Sequence, residues 1–96
     1  MDTRKLLAEK REDILRIAAL HGAFNVRLFG SVARGETRPD SDIDLLVDVG
    51  PRPSSFFPGG LVADLEELIG RHVDVVEPEG LHWYVRDQIL NEAVPM

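Results

Sequence analysis

Apolar and polar residues alternate along the chain with two different periods, which predict helices and short strands in turn. Over residues 3–21 the apolar residues recur at helical spacing, and Gly22 is the expected stop. Strand-like runs follow at 24–29 and 42–49, with a short helix over 30–34 between them. The first half of the chain therefore begins with a helix and then contributes two strands to a sheet.

The second half of the chain repeats this alternation. Residues 50–60 contain three Pro, three Gly and two Ser, so they are predicted to form a loop. A helix over 61–69, a strand over 72–76 and a helix over 81–93 follow. The last helix is expected to bury a stripe of four residues: Leu81, Val85, Ile89 and Ala93. The order α-β-α-β-α-β-α predicts an α+β fold, in which helices back a sheet of three or slightly more strands. The pattern alone leaves the strand directions open.

Composition indicates a small globular protein. The 96 residues allow one modest core, so residues 1–96 are expected to form a single domain. The chain has no cysteine, which excludes disulfides and thiolate metal sites. Its amino terminus is charged, and no apolar run approaches the ~20 residues that span a bilayer. We therefore expect a cytoplasmic protein with no membrane partner.

The balance of charge argues against nucleic acid as a direct partner. The net charge is −6, with 11 basic residues against 17 acidic ones. Proteins that hold DNA or RNA do so mainly with Lys and Arg against phosphate, and no basic stripe is present here. Direct binding of nucleic acid is therefore not expected.

Two carboxylates stand at the start of a predicted strand, within the segment GSVARGETRPDSDID at residues 30–44. Residues two apart on a strand share a face, so Asp42 and Asp44 project together at one end of the sheet. The two charges repel unless a cation offsets them, and oxygen ligands suit Mg²⁺ or Mn²⁺. Asp48 lies about 13 Å beyond Asp44 on an extended strand and is too far for the same cluster.

Gly30 and Ser31 lie where a predicted strand turns into the short helix. Backbone N–H groups at such a turn are unpaired donors that could hold phosphate oxygens. Ser31 could instead be a simple N-cap of that helix. Arg34 could reach triphosphate oxygens, or it could form a salt bridge with Glu36 or Asp40.

Asp74 is the best candidate for a third carboxylate. It interrupts the apolar strand HVDVV, and Asp is depleted in strand interiors. The alternative is an Asp on the solvent face of an edge strand. His72 would share the face of Asp74.

The Gly30-Ser31 pair, followed after ten residues by Asp42-x-Asp44, resembles the signature of the nucleotidyltransferase superfamily that includes DNA polymerase beta. The specific likeness, over residues 5–92, is to the minimal nucleotidyltransferases. It implies their fold with a mixed sheet, and a third acidic residue, here Asp74, that completes the metal site; it assigns no role to His72. Catalysis would then use two Mg²⁺ ions, or Mn²⁺, with the carboxylates as metal ligands and Gly30, Ser31 and Arg34 on the nucleotide phosphates.

The resemblance also implies an acceptor. In the resembled group the protein commonly acts as an antitoxin, adding AMP from ATP to a tyrosine of its partner, a HEPN-type RNase toxin. The residues themselves do not name the acceptor, the base or the number of nucleotides added. Two rivals stay open: a small-molecule nucleotidyltransferase of the aminoglycoside-modifying kind, and a binding antitoxin that has lost catalysis.

Four aromatic residues have no assigned role. Phe56 and Phe57 lie in the loop over 50–60, where they could fold over the core or form a surface for a partner or a base. Trp83 and Tyr84 are neighbours on the last helix, so at least one of them faces outward. The oligomeric state stays open, because these aromatics and the terminal helices could also form an interface between copies.

Overall fold

The computed structural model describes residues 3–36, 38 and 41–96. Its elements, in chain order, are α1 (Thr3–Glu9), α2 (Arg11–Leu20), β1 (Ala23–Phe29), α3 (Gly30–Ala33), β2 (Ile43–Val49), α4 (Gly59–Ile69), β3 (Val73–Val76), a 3₁₀ turn (Pro78–Gly80), α5 (Trp83–Glu92) and β4 (Val94–Pro95). The three predicted strands and the helices between them are therefore present. In the described part of the chain, no helix is long and apolar enough to cross a membrane.

The strands form one mixed sheet with the order β3-β2-β1-β4. β1 runs antiparallel to both β2 and β4, whereas β2 and β3 are parallel. The expected mixed sheet is thus confirmed, with one strand more than the pattern located. β4 escaped prediction because it has only two residues, one of which is Pro95, and two residues carry no periodicity.

One face of the sheet carries the apolar core. Alternate strand residues point to this face, where α1, α2 and α4 cover them. The core residues of the strands are Ala23, Val26, Leu28, Ile43, Leu45, Val47, Val73 and Val75, and those of α1, α2 and α4 are Leu7, Ile14, Ala18, Leu61, Leu65 and Ile69. Because the strand residues between them point to the other face, polar groups on β2 and β3 gather there.

The first helix differs from prediction, because Lys10 interrupts it. Its φ of −99° and ψ of 8° lie outside helical geometry, and α1 ends before it. The hydrogen bonds from Lys10 N to Leu6 O (3.1 Å) and from Ile14 N to Lys10 O (2.9 Å) still join α1 to α2. An interruption of one residue keeps the apolar stripe nearly in phase, so hydrophobic periodicity does not reveal it.

The last helix also differs, since none of its residues is fully buried. Val85 and Ile89 are half-buried as part of the predicted stripe, whereas Leu81 and Ala93 lie outside the ends of α5. Trp83 and Tyr84 are both exposed, at 80% and 66%, and their rings contact each other and His82. These residues stay exposed because α5 packs on α3 and not on the face of the sheet that the other helices cover.

A histidine ties the loop over 50–60 to two helices. His21 follows α2, and its Nδ1 lies 2.6 Å from Ser54 Oγ while its Nε2 lies 2.7 Å from Asp64 Oδ2 on α4. The backbone adds a bond from Ser54 N to His21 O at 3.0 Å. Within this loop Phe57 packs against the core, as one of the two alternatives expects, while Phe56 is exposed.

We expect His21→Ala to lower the free energy of unfolding by about 1–2 kcal/mol, because two side-chain hydrogen bonds of a largely buried ring are lost. Urea unfolding followed by circular dichroism measures this change. The matched control is His82→Ala, since His82 is exposed and its ring lies against two exposed rings, those of Trp83 and Tyr84. Equal losses for the two variants would show that His21 does not anchor the loop.

Candidate active site

Three neighbouring strands place an acidic pair at one end of the sheet. Phe29, the last residue of β1, pairs with Asp44 on β2, and Asp44 pairs with Asp74 on β3. Residues paired across strands share a face and stand about 5 Å apart at Cα. The carboxylates of Asp44 and Asp74 therefore project side by side on the face opposite the core.

Asp42 joins this pair from the residue that precedes Ile43, where β2 begins. The amide of Ile43 donates to His72 O at 2.9 Å, so pairing of the two chain segments extends to this end of β3. Arg71 binds the backbone just before Asp42: its Nη2 donates to the backbone oxygens of Ser41 (2.6 Å) and Arg38 (3.1 Å). The position of Asp42 thus depends on a side chain from before β3.

Gly30 connects β1 to α3 directly beside Asp44. Its φ is +75°, a conformation that side chains disfavour, and a Cβ at this position would overlap Asp44 Oδ2. Two features therefore favour glycine here. The backbone turn needs a positive φ, and any side chain would displace the carboxylate of Asp44. The close approach also shows how the two halves of the Gly-Ser and Asp-x-Asp pattern meet in space.

Ser31 is the second residue of α3, and the N-cap position belongs to Phe29. The interpretation of Ser31 as an N-cap is therefore wrong. Its hydroxyl makes no hydrogen bond to any residue within 3–36, 38 or 41–96, and the side chain is half-buried. At the first turn of a helix this hydroxyl and the neighbouring N–H groups are donors suited to an anion.

Arg34 lies at the end of α3 and is bound to two carboxylates. Its Nε donates to Glu36 Oε2 at 3.1 Å, and its Nη1 donates to Glu92 Oε1 at 2.5 Å. Of the two salt bridges considered from the sequence, the one to Glu36 is present, whereas Asp40 and the neighbouring Pro39 lie outside the described residues. Arg34 is also near enough to Asp44 to favour its ionised form.

The electrostatics of the cluster centre on Asp44. Burial raises the pKa of its carboxyl, and the negative charges of Asp74 and then Asp42 raise it further. Only Arg34 acts in the opposite direction. Because the ionised form of Asp44 is unfavourable here, a positive charge placed beside it on this face of the sheet would be stabilised.

The donor set fits a hard divalent cation. Three carboxylates with mutual repulsion are the ligands that Mg²⁺ and Mn²⁺ prefer. No three of the acidic, histidine or cysteine side chains described here are already arranged as a metal-binding group. The strand register fixes the backbones, while Asp42 and Asp74 are exposed and their side chains are free to change rotamer. Assignment of Asp42, Asp44 and Asp74 as metal ligands stays a prediction.

Two further polar residues, Asp48 at the other end of β2 and His72 just before β3, have other partners. Asp48 accepts hydrogen bonds from Asn25 (2.9 Å) and Arg27 (2.8 Å), which agrees with its exclusion from the cluster. His72 is mostly exposed, with Nδ1 2.5 Å from Glu66 Oε2. This hydrogen bond is the main reason that the pKa of His72 is raised, with the negative charges of Asp42 and Asp74 adding to it.

Sequence reasoning missed three residues that hold the site together: Glu66, Arg71 and Glu92. Glu66 accepts the amide of Val73 at 3.0 Å and so fixes the start of β3 next to Asp74. Arg71 holds the approach to Asp42, and Glu92 binds Arg34 across 58 residues of chain. Their partners are distant in sequence or are backbone atoms, so no local pattern marks them.

The chain is similar over nearly its whole length to known proteins. It matches the family model of the nucleotidyltransferase domain over residues 7–95. It is 41% identical over 86 residues to a Methanocaldococcus jannaschii protein named as a protein adenylyltransferase, covering 90% of this chain and 92% of that protein. The solved structure of a minimal nucleotidyltransferase aligns with a TM-score of 0.84 and 47% identity, over 100% of this chain and 97% of that one. A toxin–antitoxin structure with AMP-PNP shares the fold, with a TM-score of 0.73, 20% identity and coverage of 88% and 69%.

We expect Gly30→Ala to cost about 2–4 kcal/mol of unfolding free energy, because it adds a clash with Asp44 to the cost of a positive φ. Gly35→Ala is the matched control: its φ is +77°, but no atom of the residues that the structure describes lies within 4 Å of the added Cβ. Chemical unfolding of both variants separates the two costs. Equal losses would show that Asp44 does not press on this turn.

The raised pKa of Asp44 makes a prediction about pH. The folded state gains from this group below the pKa of the unfolded chain and loses that gain as pH rises through the higher folded value. We therefore expect Asp44→Asn to unfold at a higher temperature than the wild type at neutral pH in EDTA, with the difference vanishing below about pH 4.

Thermal unfolding followed by circular dichroism across this pH range tests the expectation. The matched control is Asp48→Asn, which replaces one of the two acceptor oxygens that bind Asn25 and Arg27 by an NH2 group, removes the charge opposite Arg27 and should be less stable than the wild type. An Asp44→Asn variant that is also less stable at neutral pH would contradict the charge repulsion inferred for the cluster.

Proposed function

Because this chain belongs to the nucleotidyltransferase domain family, we propose that it transfers AMP from ATP to a tyrosine hydroxyl of a partner HEPN-type RNase toxin, and so acts as an antitoxin. Nucleotidyl transfer is the activity of the family. The observation that carries the residue assignment is the register across β1, β2 and β3, which brings Gly30, Asp44 and Asp74 to one end of the sheet.

The nature of the nucleotide and the acceptor rests on the relatives. The M. jannaschii protein is named as a protein adenylyltransferase, which supports AMP as the group and a protein as the acceptor. The toxin–antitoxin structure that shares this fold was solved with AMP-PNP, an ATP analogue. A tyrosine of a HEPN-type toxin is the acceptor that the resemblance implies.

The openness of the site favours a macromolecular acceptor. Asp42 and Asp74 are both exposed, and the acidic cluster lies on the face that α1, α2 and α4 leave uncovered. A partner protein that docks over this face would supply both the hydroxyl and the missing wall of the site.

In the proposed reaction the tyrosine oxygen bonds to the α-phosphorus of ATP, the bond from that phosphorus to the bridging oxygen breaks, and pyrophosphate leaves. The hydroxyl proton passes to solvent. Asp42, Asp44 and Asp74 would hold two Mg²⁺ ions, which supply charge compensation for the phosphates and the attacking oxygen. Ser31 and the first N–H groups of α3 would bind the outer phosphates, with Arg34 as a further donor.

We expect Asp42→Asn, Asp44→Asn and Asp74→Asn each to reduce AMP transfer at least about 100-fold, because removing a metal-holding charge weakens stabilisation of the transition state. Transfer is measured with radiolabelled ATP and Mg²⁺ on a co-purified partner, with mass spectrometry to locate the modified residue. EDTA should abolish the signal in the wild type.

The control is Asp48→Asn, which removes the same charge from the other end of β2, where Asp48 binds Asn25 and Arg27. This variant should keep most of the wild-type transfer rate. Near-normal transfer by Asp44→Asn would refute the assignment of the site. Labelling of amines or alcohols but not of protein would assign the chain to small-molecule transfer, and toxin neutralisation by the inactive variants would favour a purely binding role.

A further inference from the structure

A partly buried salt bridge joins the end of α5 to the end of α3. Glu92 is the last residue of α5, and its Oε1 accepts a hydrogen bond from Arg34 Nη1 at 2.5 Å. The Glu92 side chain is only 19% exposed, whereas Glu36, the second partner of Arg34, is 64% exposed. Because water screens an exposed pair more strongly, the pair with Glu92 is the less screened of the two.

The placement of Glu92 is not explained by the helix that carries it. The carboxyl end of a helix has a partial negative charge, so an acidic residue there is unfavourable for the helix itself. α5 has no fully buried residue and packs on α3. The contact with Arg34 is therefore the main observed gain from a carboxylate at this position.

Arg34 keeps donors for another ligand while it is held. Of its three nitrogens, Nε binds Glu36 and Nη1 binds Glu92, and Nη2 has no hydrogen-bond partner among the residues whose structure is described. The guanidinium also lies near enough to Asp44 to favour its charged form. A cation is thus fixed beside the acidic cluster with one nitrogen left over.

We propose that Glu92 is a positioning residue for the nucleotide: it holds the Arg34 guanidinium at the edge of the site so that Nη2 can bind a phosphate oxygen. This inference rests on the proposed function and deepens it, because it makes α5 part of the nucleotide site. A free arginine has many rotamers, and fixing one of them beforehand lowers the entropy cost of binding phosphate.

The test is the affinity for AMP-PNP with Mg²⁺, measured by isothermal titration calorimetry, together with KM and kcat for ATP. We expect Glu92→Gln to raise both Kd and KM about threefold to tenfold, the effect of weakening one charged hydrogen bond, with kcat within about twofold. Glu92→Asp keeps the charge but shortens the side chain and should give a smaller rise. The control is Asp87→Asn, which removes an exposed charge from the same helix and should leave Kd unchanged.

A double-mutant cycle separates positioning from a merely structural role. In an Arg34→Ala background Glu92→Gln should have no further effect on Kd, because the side chain that it positions is gone. An unchanged Kd in Glu92→Gln, a lower Kd, or the same loss with and without Arg34 would each overturn the inference. A lower Kd would mean that Glu92 competes with the nucleotide for Arg34.

The outcome for Glu92 is distinguishable from the outcome for the proposed function. If the wild type binds AMP-PNP and the cycle behaves as expected, but no protein is labelled, then the positioning role stands and the acceptor assignment fails. If protein is labelled and Glu92→Gln leaves Kd and KM unchanged, then the function stands and the positioning role fails.

Discussion

The pairing of β2 with a strand on each side is the constraint on which the rest of the site depends. β2 carries Asp44 between Phe29 of β1 and Asp74 of β3, and a slip of one residue would turn either carboxylate toward the core. The apolar residues on the opposite face prevent that slip, because Ile43, Leu45 and Val47 are all buried there. Hydrophobic burial on one face of the sheet thus fixes the position of charge on the other.

This arrangement has an electrostatic cost, which the raised pKa of Asp44 reports. Bringing a cation to such a cluster relieves the repulsion between its carboxylates. Arg34 offsets part of that repulsion, and it is itself paired with two carboxylates, Glu36 and Glu92.

The parts of this picture that could be predicted from the sequence are those with local signals. The strands and the Gly30-Ser31 to Asp42-x-Asp44 pattern follow from periodicity and spacing, and Asp74 stands out because it breaks an apolar strand. The rest depends on partners that the sequence does not name. Glu92 contacts Arg34 across 58 residues, and Arg71 binds backbone oxygens that any residue would offer. The two-residue β4 and the break at Lys10 are too short to disturb a periodic pattern.

Long polar side chains fix the positions of chain segments that the small apolar core does not hold. The apolar core sets which face of the sheet each strand residue occupies, but Arg38 and Ser41, which precede Asp42, are not part of that core. Arg71 compensates by binding Thr3 Oγ1 at 2.9 Å and Ser41 O at 2.6 Å, which ties the first helix to the edge of the site. At the other end of the chain, Glu92 does the same for α5 through Arg34. Both terminal helices are thereby linked to the surroundings of the acidic cluster by guanidinium groups, whose several donors can bind acceptors on different elements at once.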